Sequence, residues 1–580
     1  MRIIPFLSSA LLAIPALAQI PNSYPIFDRD AVHEIKITFA NADWFQVLTA
    51  NYDGVRVENP YFPASIEWGE NKFENIGVRF KGNSSYSASR GRKKPFRLKL
   101  NEFVKGQKID GIGSFSLSNG WNDPSFVREK AYYEVAAAIG LKAPRSNYAA
   151  LTINGEYFGL YMLTEVINSD FLKNYYGKGE DDGNLYKGNI GSTFAYLGED
   201  KAAYKNAWEK QTNEEADDWT DLIALCKLIN DTAPADFRAK LEPVMDIDSV
   251  LTALAVDNAT VNLDSYVGMA QNFNIYRRPS DKRWVWIPWD PSLAFGALSQ
   301  GQTIQGMKEL PLEWSNTGGG FGGGLPPGGG GLPPGGGPPP GGGNPGGPGP
   351  GGAQQAGRPL ATKLWAVPEY KERYRQIYRQ LIDRVLLGDK TLARMNQLRE
   401  MIAPWVEKDT QKLVTQVQFE NAMTADATGT GPGGQGGGPG GQGGGIGGQA
   451  AGIPGLTPFV TGRLAFVTDK LAAEPPPTMA ITADMASIAL TQPAAGPAVS
   501  ATVRLTLNGT SLPGAYSIYA STETGGAWIG LTPAGGAAPG SFTVSNAAKL
   551  EAGIYTGEVR VFSPGASNSP LAIPVTLTIQ

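Results

Sequence analysis

VWIPWDPSLAFG, Val285 to Gly296, carries an apolar strand into a single acid, Asp290, followed by a Pro, a Ser and a small apolar run. A lone carboxylate at the end of a buried strand either caps the next turn or stands at a cleft mouth as a metal ligand. The residues upstream bear on the choice. In VDNATVNLDSYVGMAQNFNIYRRPSDKRW the chain gathers Asp257, Asn258, Asn262, Asp264 and Asn272. QNFNIYRRP and RWVWIPWD read as two strands joined by the polar turn PSDK. Such a hairpin brings Asn272, which starts one strand, near Asp290, which ends the other, with Asp264 beside them. Asn258 and Asn262, four apart, are expected to share one face of a helix. An Asp and an Asn around a hard cation, with a second Asp as base, would suit phosphoryl transfer. The competing reading is a set of capping and turn residues.

Composition narrows the chemistry. The 580 residues are 42% apolar and 18% charged, which describes a globular chain of two to four domains. A net charge of −4 without a basic stripe argues against nucleic acid as a partner. There is one Cys, Cys226, and one His, His33. Disulfides within the chain, Cys-based zinc sites and multi-His metal sites are thereby excluded, and no Ser-His-Asp arrangement is evident. Chemistry must rest on carboxylates, Lys, Arg and Asn, with a hard metal such as Mg2+ or Mn2+. The N-terminus, MRIIPFLSSALLAIPALAQ, has Arg2, an apolar run and Ala16-Leu17-Ala18, and reads as a signal peptide over 1–18. The mature protein is expected to be exported, to the periplasm, the cell surface or the medium, with no transmembrane segment.

From residue 19 to about 475 the chain mixes strands and helices, an α+β pattern. EIKITFA and NIGVRF read as strands, ADWFQVLTANY as a helix, and NYAALTING with EYFGLYMLTEV as a hairpin turning at Asn154-Gly155. DPSFVREKAYYEVAAAIGL reads as a helix capped by Asp123 or Ser125 and stopped by Gly140. Gly/Pro tracts at 318–357 and 428–455 read as low-complexity inserts. Past Pro475–Pro477, short alternating strands such as ATVRLTL and YTGEVRVFS predict a small all-β, Ig-like sandwich over 476–580.

A second constellation lies in VRFKGNSSYSASRGRKKPFRLKL. Gly82, Asn83, Ser84 and Ser85 form a small polar loop after a strand, of the type whose N–H groups cradle phosphate. Lys94 and Lys99 follow, and Lys99 points away from the Phe96/Leu98/Leu100 face.

Together VRFKGNSS, KKPFRLKL, LSNGWNDPSFVREKAYYEVAAAIGLKAPRSNYAALTINGEYFGLYMLTEV, GNLYKG, VNLDSYVGMAQNFNIY and WIPWDPSLAFG resemble the CotH kinase family, the spore-coat-protein-H-like atypical kinases, over roughly residues 33–471. The resemblance implies a two-lobed, diverged protein-kinase-like fold, ATP, Mg2+ or Mn2+, and a protein substrate with a Ser/Thr acceptor. It implies that Gly82 to Ser85 cover the nucleotide and that Lys99, or Lys94 in its place, meets the phosphates. Glu165 and Val166 would lie beside the adenine, Asp264 would be the catalytic acid, and Asn272 and Asp290 would hold the metal. Either Glu129 or Glu134 could pair with the strand lysine. Gln271 stands where relatives often have His, and Ser292 where many have a second acid. The alternative is a catalytically weak kinase fold serving as a surface adhesin or assembly scaffold.

Overall fold

Strict alternation builds the first unit. Ile76, Val78 and Phe80 on one strand and Phe96 and Leu98 on the next are fully buried, while the residues between them face outward. In the computed structural model, which describes residues 25–28, 30–54, 59–89, 91–316, 357–427, 452–472, 478–493, 496–510, 514–522, 528–533, 535–546 and 550–580, such strands close a barrel. Its strands are β1 (Val32–Thr38), β2 (Phe62–Trp68), β3 (Asn71–Phe80), β4 (Phe96–Lys99), β5 (Ser114–Ser118), β6 (Ser146–Ile153) and β7 (Glu156–Glu165), in the order β1-β2-β3-β4-β5-β7-β6. β6 closes the ring by running parallel to β1. The strands β2 and β5 and the closure itself were not part of the sequence reading. The β6–β7 hairpin turns at Asn154-Gly155 as expected, both residues at positive φ (49° and 82°).

The second unit packs helices against a four-stranded sheet of β8 (Asn184–Gly188), β9 (Trp208–Lys210), β10 (Phe273–Arg277) and β11 (Trp284–Pro288), ordered β11-β10-β8-β9. Its largest core joins the helices Arg128–Ala138, Thr220–Asp231, Ile247–Ala259 and Pro368–Gln380 and is separate from the core inside the barrel. The described strands between residues 480 and 579 form two sheets enclosing a third core. The signal segment 1–18 and most of both Gly/Pro inserts lie outside the described residues. The flanks of the second insert are ordered: Ala427 and Ile453 pair as a β-bridge. Among the described residues no helix is long and apolar enough to cross a membrane.

Candidate active site

The hairpin of β10 and β11 does what its sequence implies. Phe273 pairs with Pro288, and the Trp289 N–H donates to the Asn272 carbonyl at 3.2 Å, so Asn272 and Asp290 leave the sheet side by side. Both adopt the left-handed backbone (φ 58° and 48°), which Asn and Asp tolerate better than other side chains. Asp264 joins them: its carboxylate accepts from Asn272 Nδ2 at 2.9 Å and from Gln271 Nε2 at 2.5 Å. Gln271 thus supplies an N–H to the acid. Ser292 Oγ donates to Asp290 Oδ1 at 3.1 Å and adds no charge.

Asn258 and Asn262 do not share a helical face. The helix ends at Ala259, Val261 turns left-handed (φ 49°), and Asn262 folds back to donate to Asp257 at 3.0 Å. Asp257 also accepts from the Tyr132 hydroxyl at 2.7 Å. Burial outweighs these bonds and pushes Asp257 up to about 7. It underpins the Asp264 loop from below.

Helix Arg128–Ala138 approaches from the other side. Asp123 Oδ2 accepts from the Arg128 N–H at 3.0 Å, so Asp123 serves the helix start, which lies later than the sequence suggested. Four residues apart on this helix, Glu129 and Tyr133 both face the site. The Asp290 N–H donates to the Tyr133 hydroxyl at 3.1 Å. Glu129 Oε1 accepts from Thr164 Oγ1 at 2.5 Å, while its buried Oε2 has no partner among the described residues. Glu134 points elsewhere, into a bidentate pair with Arg394 at 2.6 and 2.9 Å. Glu129 is therefore the helix acid at the site.

The lysine of the site is Lys81, which the sequence reading passed over. β3 and β4 run antiparallel, with Phe80 opposite Phe96, Arg79 opposite Arg97 and Gly77 opposite Lys99. The outward face was assigned correctly to Lys99, but Lys99 sits four residues beyond the level of Pro95, which bonds Lys81, and thus about 13 Å along the strand at ~3.3 Å per residue. It pairs there with Glu102 at 2.6 Å and does not join the acids. Lys94 is also committed elsewhere: its ammonium donates to the carbonyls of Tyr86 (2.8 Å) and Ser89 and braces the loop from within. Lys81 Nζ donates to Ser118 Oγ at 3.3 Å. Burial lowers its pKa, opposed by the negative charges of Asp290 and Glu129.

Gly82 follows at φ 83°, where an added Cβ would strike Ser85 Oγ. Gly82 to Ser85 thus adjoin Lys81, with Ser84–Ser87 wound into one helical turn rather than an open loop. Glu165 and Val166 leave the end of β7 at the junction of the two units. The Glu165 carboxylate is held by Arg145 (2.8 Å) and the Tyr175 hydroxyl (3.2 Å), and its N–H donates to the Arg145 carbonyl at 3.0 Å, so its side chain is committed to the fold.

Electrostatically the site is strained by like charge. Burial, and then the charge of Asp290, push Glu129 and Asp264 each up to about 7. Neither Asp264 nor Asp290 has an ion-pair partner within 4 Å among the described residues. Among those residues no three His, Cys, Asp or Glu side chains converge as a ligand cluster. The donor set is instead two half-buried carboxylates and an amide whose N–H2 is engaged, leaving its oxygen free of that bond. Hard oxygen donors with uncompensated negative charge fit a hard divalent cation.

Residues 78–425 match the family described as CotH kinase protein. The chain belongs to the CotH kinase family. It is 25% identical over 206 residues to the inner spore coat protein H of Bacillus subtilis, covering 35% of this chain and 55% of that protein. It is 28% identical over 189 residues to invasin CotH3 of Rhizopus delemar, covering 31% of each. The chain thus spans about half and about a third of the length of these CotH relatives. Among solved structures, the PapD-like domain 7 of human CEP192 aligns at 11% identity, covering 18% of this chain and 89% of that one, with a TM-score of 0.15 that carries no argument.

Proposed function

We propose that this CotH-family chain is an exported, metal-dependent phosphotransferase that moves the γ-phosphoryl group of ATP to a Ser or Thr hydroxyl of a secreted or surface protein. The observation that supports it best is the convergence of Lys81, Glu129, Asp264, Asn272 and Asp290, from separate elements, on one half-buried site. In this reading the two units act as the lobes of a diverged kinase fold, with ATP between them. Asn272 and Asp290 would hold Mg2+ or Mn2+, which neutralises phosphate charge when bound. Lys81 holds the phosphate chain, and Glu129 keeps the ammonium at the site despite its desolvation. Gly82 to Ser85 cover the phosphates, and the Glu165–Val166 backbone lies beside the base. Asp264 orients the acceptor hydroxyl and takes its proton as the new phosphorus–oxygen bond forms and the bond to ADP breaks. The Gln271 and Asn272 bonds hold its two carboxylate oxygens in place.

Calorimetry with ATP and Mg2+ or Mn2+, on the chain from Gln19, tests this. Metal-dependent binding abolished by Asp290→Ala is expected. A folded protein that binds no nucleotide with either metal would overturn the assignment and leave an adhesin or scaffold.

A further inference from the structure

Next to Lys81 the barrel wall carries a cation with no close ion pair among the described residues; the charge of Glu209 reaches it only from beyond 4 Å. Arg97 projects from the outward face of β4, level with Arg79 on β3 and Ser116 on β5. No carboxylate lies within 4 Å of its guanidinium among the described residues, and its buried Nε has no hydrogen-bond partner. Ser116 Oγ beside it is also buried and unpartnered. Arg97 and Lys81 stand over the same ring: the guanidinium carbon and the Lys81 nitrogen are each 5.9 Å from the centre of Trp289, the residue before Asp290. Lys187, on β8 of the facing sheet, adds a third positive charge that acts on Lys81, and pairs only at 3.4 Å with Glu209.

Lys81 and Arg97 crowd one indole and repel each other, and Lys187 adds to the positive charge acting on Lys81. The first two are desolvated, and the nearest neutralising groups are few. A buried Nε–H that donates to nothing is costly unless a ligand completes it. Its planar fork matches phosphate oxygens in a way that an ammonium does not. Trp289 supplies a flat wall that keeps the guanidinium in place between the barrel and the acids.

We infer that Arg97 is a phosphate-binding residue of this site, gripping the oligophosphate chain of the nucleotide opposite the Asp264–Asn272–Asp290 side, with Lys187 at the rim. The inference rests on the phosphotransfer reading and adds to it a second, bidentate contact. It implies selection for a triphosphate over a nucleoside.

The test is calorimetry of the whole chain with ATP, inorganic tripolyphosphate, adenosine and phosphoserine, each with Mg2+. The proteins are the parent, Arg97→Met, Arg97→Lys and, as a control on the same face, Lys99→Met. A charged hydrogen-bonded contact of ~1.5–3 kcal/mol predicts a Kd for ATP and tripolyphosphate about 10–150-fold weaker in Arg97→Met. Arg97→Lys should recover part of this, and adenosine affinity and melting temperature should not move. Parent-like ATP binding by a folded Arg97→Met would overturn the inference while leaving the phosphotransfer reading intact. Loss confined to phosphoserine would overturn it in favour of an acceptor-side phosphate site. A parent protein that binds neither ATP nor tripolyphosphate would overturn both.

Discussion

Lys81→Met should weaken ATP binding, and Lys99→Met should not. The two lysines share an outward face and differ in register, so the pair tests position rather than chemistry. Lys99 forms a solvent-exposed pair with Glu102, with 41% of its side chain accessible, and such pairs contribute about 0–1 kcal/mol to stability. Its replacement should leave melting and affinity almost unchanged. Lys81 is desolvated, its ammonium bonded among the described residues to the neutral Ser118 hydroxyl, and under the influence of Asp290 and Glu129. Unit charges ~4 Å apart interact by about 4 kcal/mol at the effective dielectric of partly buried sites. Discounting for the solvent that still reaches this partly buried side chain leaves about 2–3 kcal/mol, or roughly 30–150-fold in Kd. The same substitution removes a cation that lowers the Glu129 pKa, so this carboxyl should titrate above its present value of about 7. Calorimetry gives the first number, and carboxyl-carbon NMR across pH 5–9 gives the second. Equal losses from the two variants, or a loss confined to Lys99→Met, would refute the register argument and return the phosphate contact to the far end of β4.

Two further outcomes follow from the packing. Asp257 is raised by burial to about 7 from an ordinary 3.8, so the folded protein keeps a proton that the unfolded chain releases near pH 4. Stability therefore falls as pH rises from about 4 to about 7 and levels off above that, by up to about 4 kcal/mol from this group. Asp257→Asn, which retains an oxygen to accept from Tyr132, should flatten the difference between melting temperatures at pH 4.5 and 8; a pH-invariant offset from the parent would refute this. Gly159 sits at φ 113°, where an added Cβ would strike the Asp409 carboxylate that pairs with buried Lys93. Gly159→Ala should cost about 2–4 kcal/mol through strain and the loss of that pair, seen as a lower urea midpoint, whereas an unchanged midpoint would refute the packing.

Periodicity made the hairpins and most helices legible. Asn272 and Asp290 could be placed together because the alternation of QNFNIY and RWVWIP fixes a short antiparallel pair whose ends must meet. Asp264 followed from its nearness in the chain to Asn272. Lys81 was equally available in principle. In an antiparallel hairpin the residues that flank the connecting loop are the ones that share its neighbourhood. Lys81 and Arg97 flank the loop that carries Gly82, and Lys99 lies at the other end. The face of the strand alone selects Lys99; its direction is needed as well to select Lys81. Barrel closure was not legible, because β6 meets β1 across more than a hundred residues and no local pattern encodes that pairing. Nor was the choice between Glu129 and Glu134: one helix presents both, and only the position of Arg394 removes Glu134 from the site.

The helix that carries Glu129 also bears on how the site is governed. Arg128 is bonded to Asp123 and the Pro454 carbonyl, Lys130 to the Ser146 carbonyl, Tyr132 to Asp257, Tyr133 to Asp290, and Glu134 to Arg394, which reaches Asp30 as well. These partners lie in the segment leading into the helix, on the barrel, beneath the Asp264 loop, at the end of β11, on the long helix Gly388–Lys408 and just before the helix Leu456–Ala472. A swing of this helix would break several buried charged bonds at once, each worth ~1.5–3 kcal/mol. The Glu129 carboxyl is thus fixed beside Lys81 before any ligand arrives. The like charges of the site are held together by packing around them, which is the condition for electrostatic preorganisation.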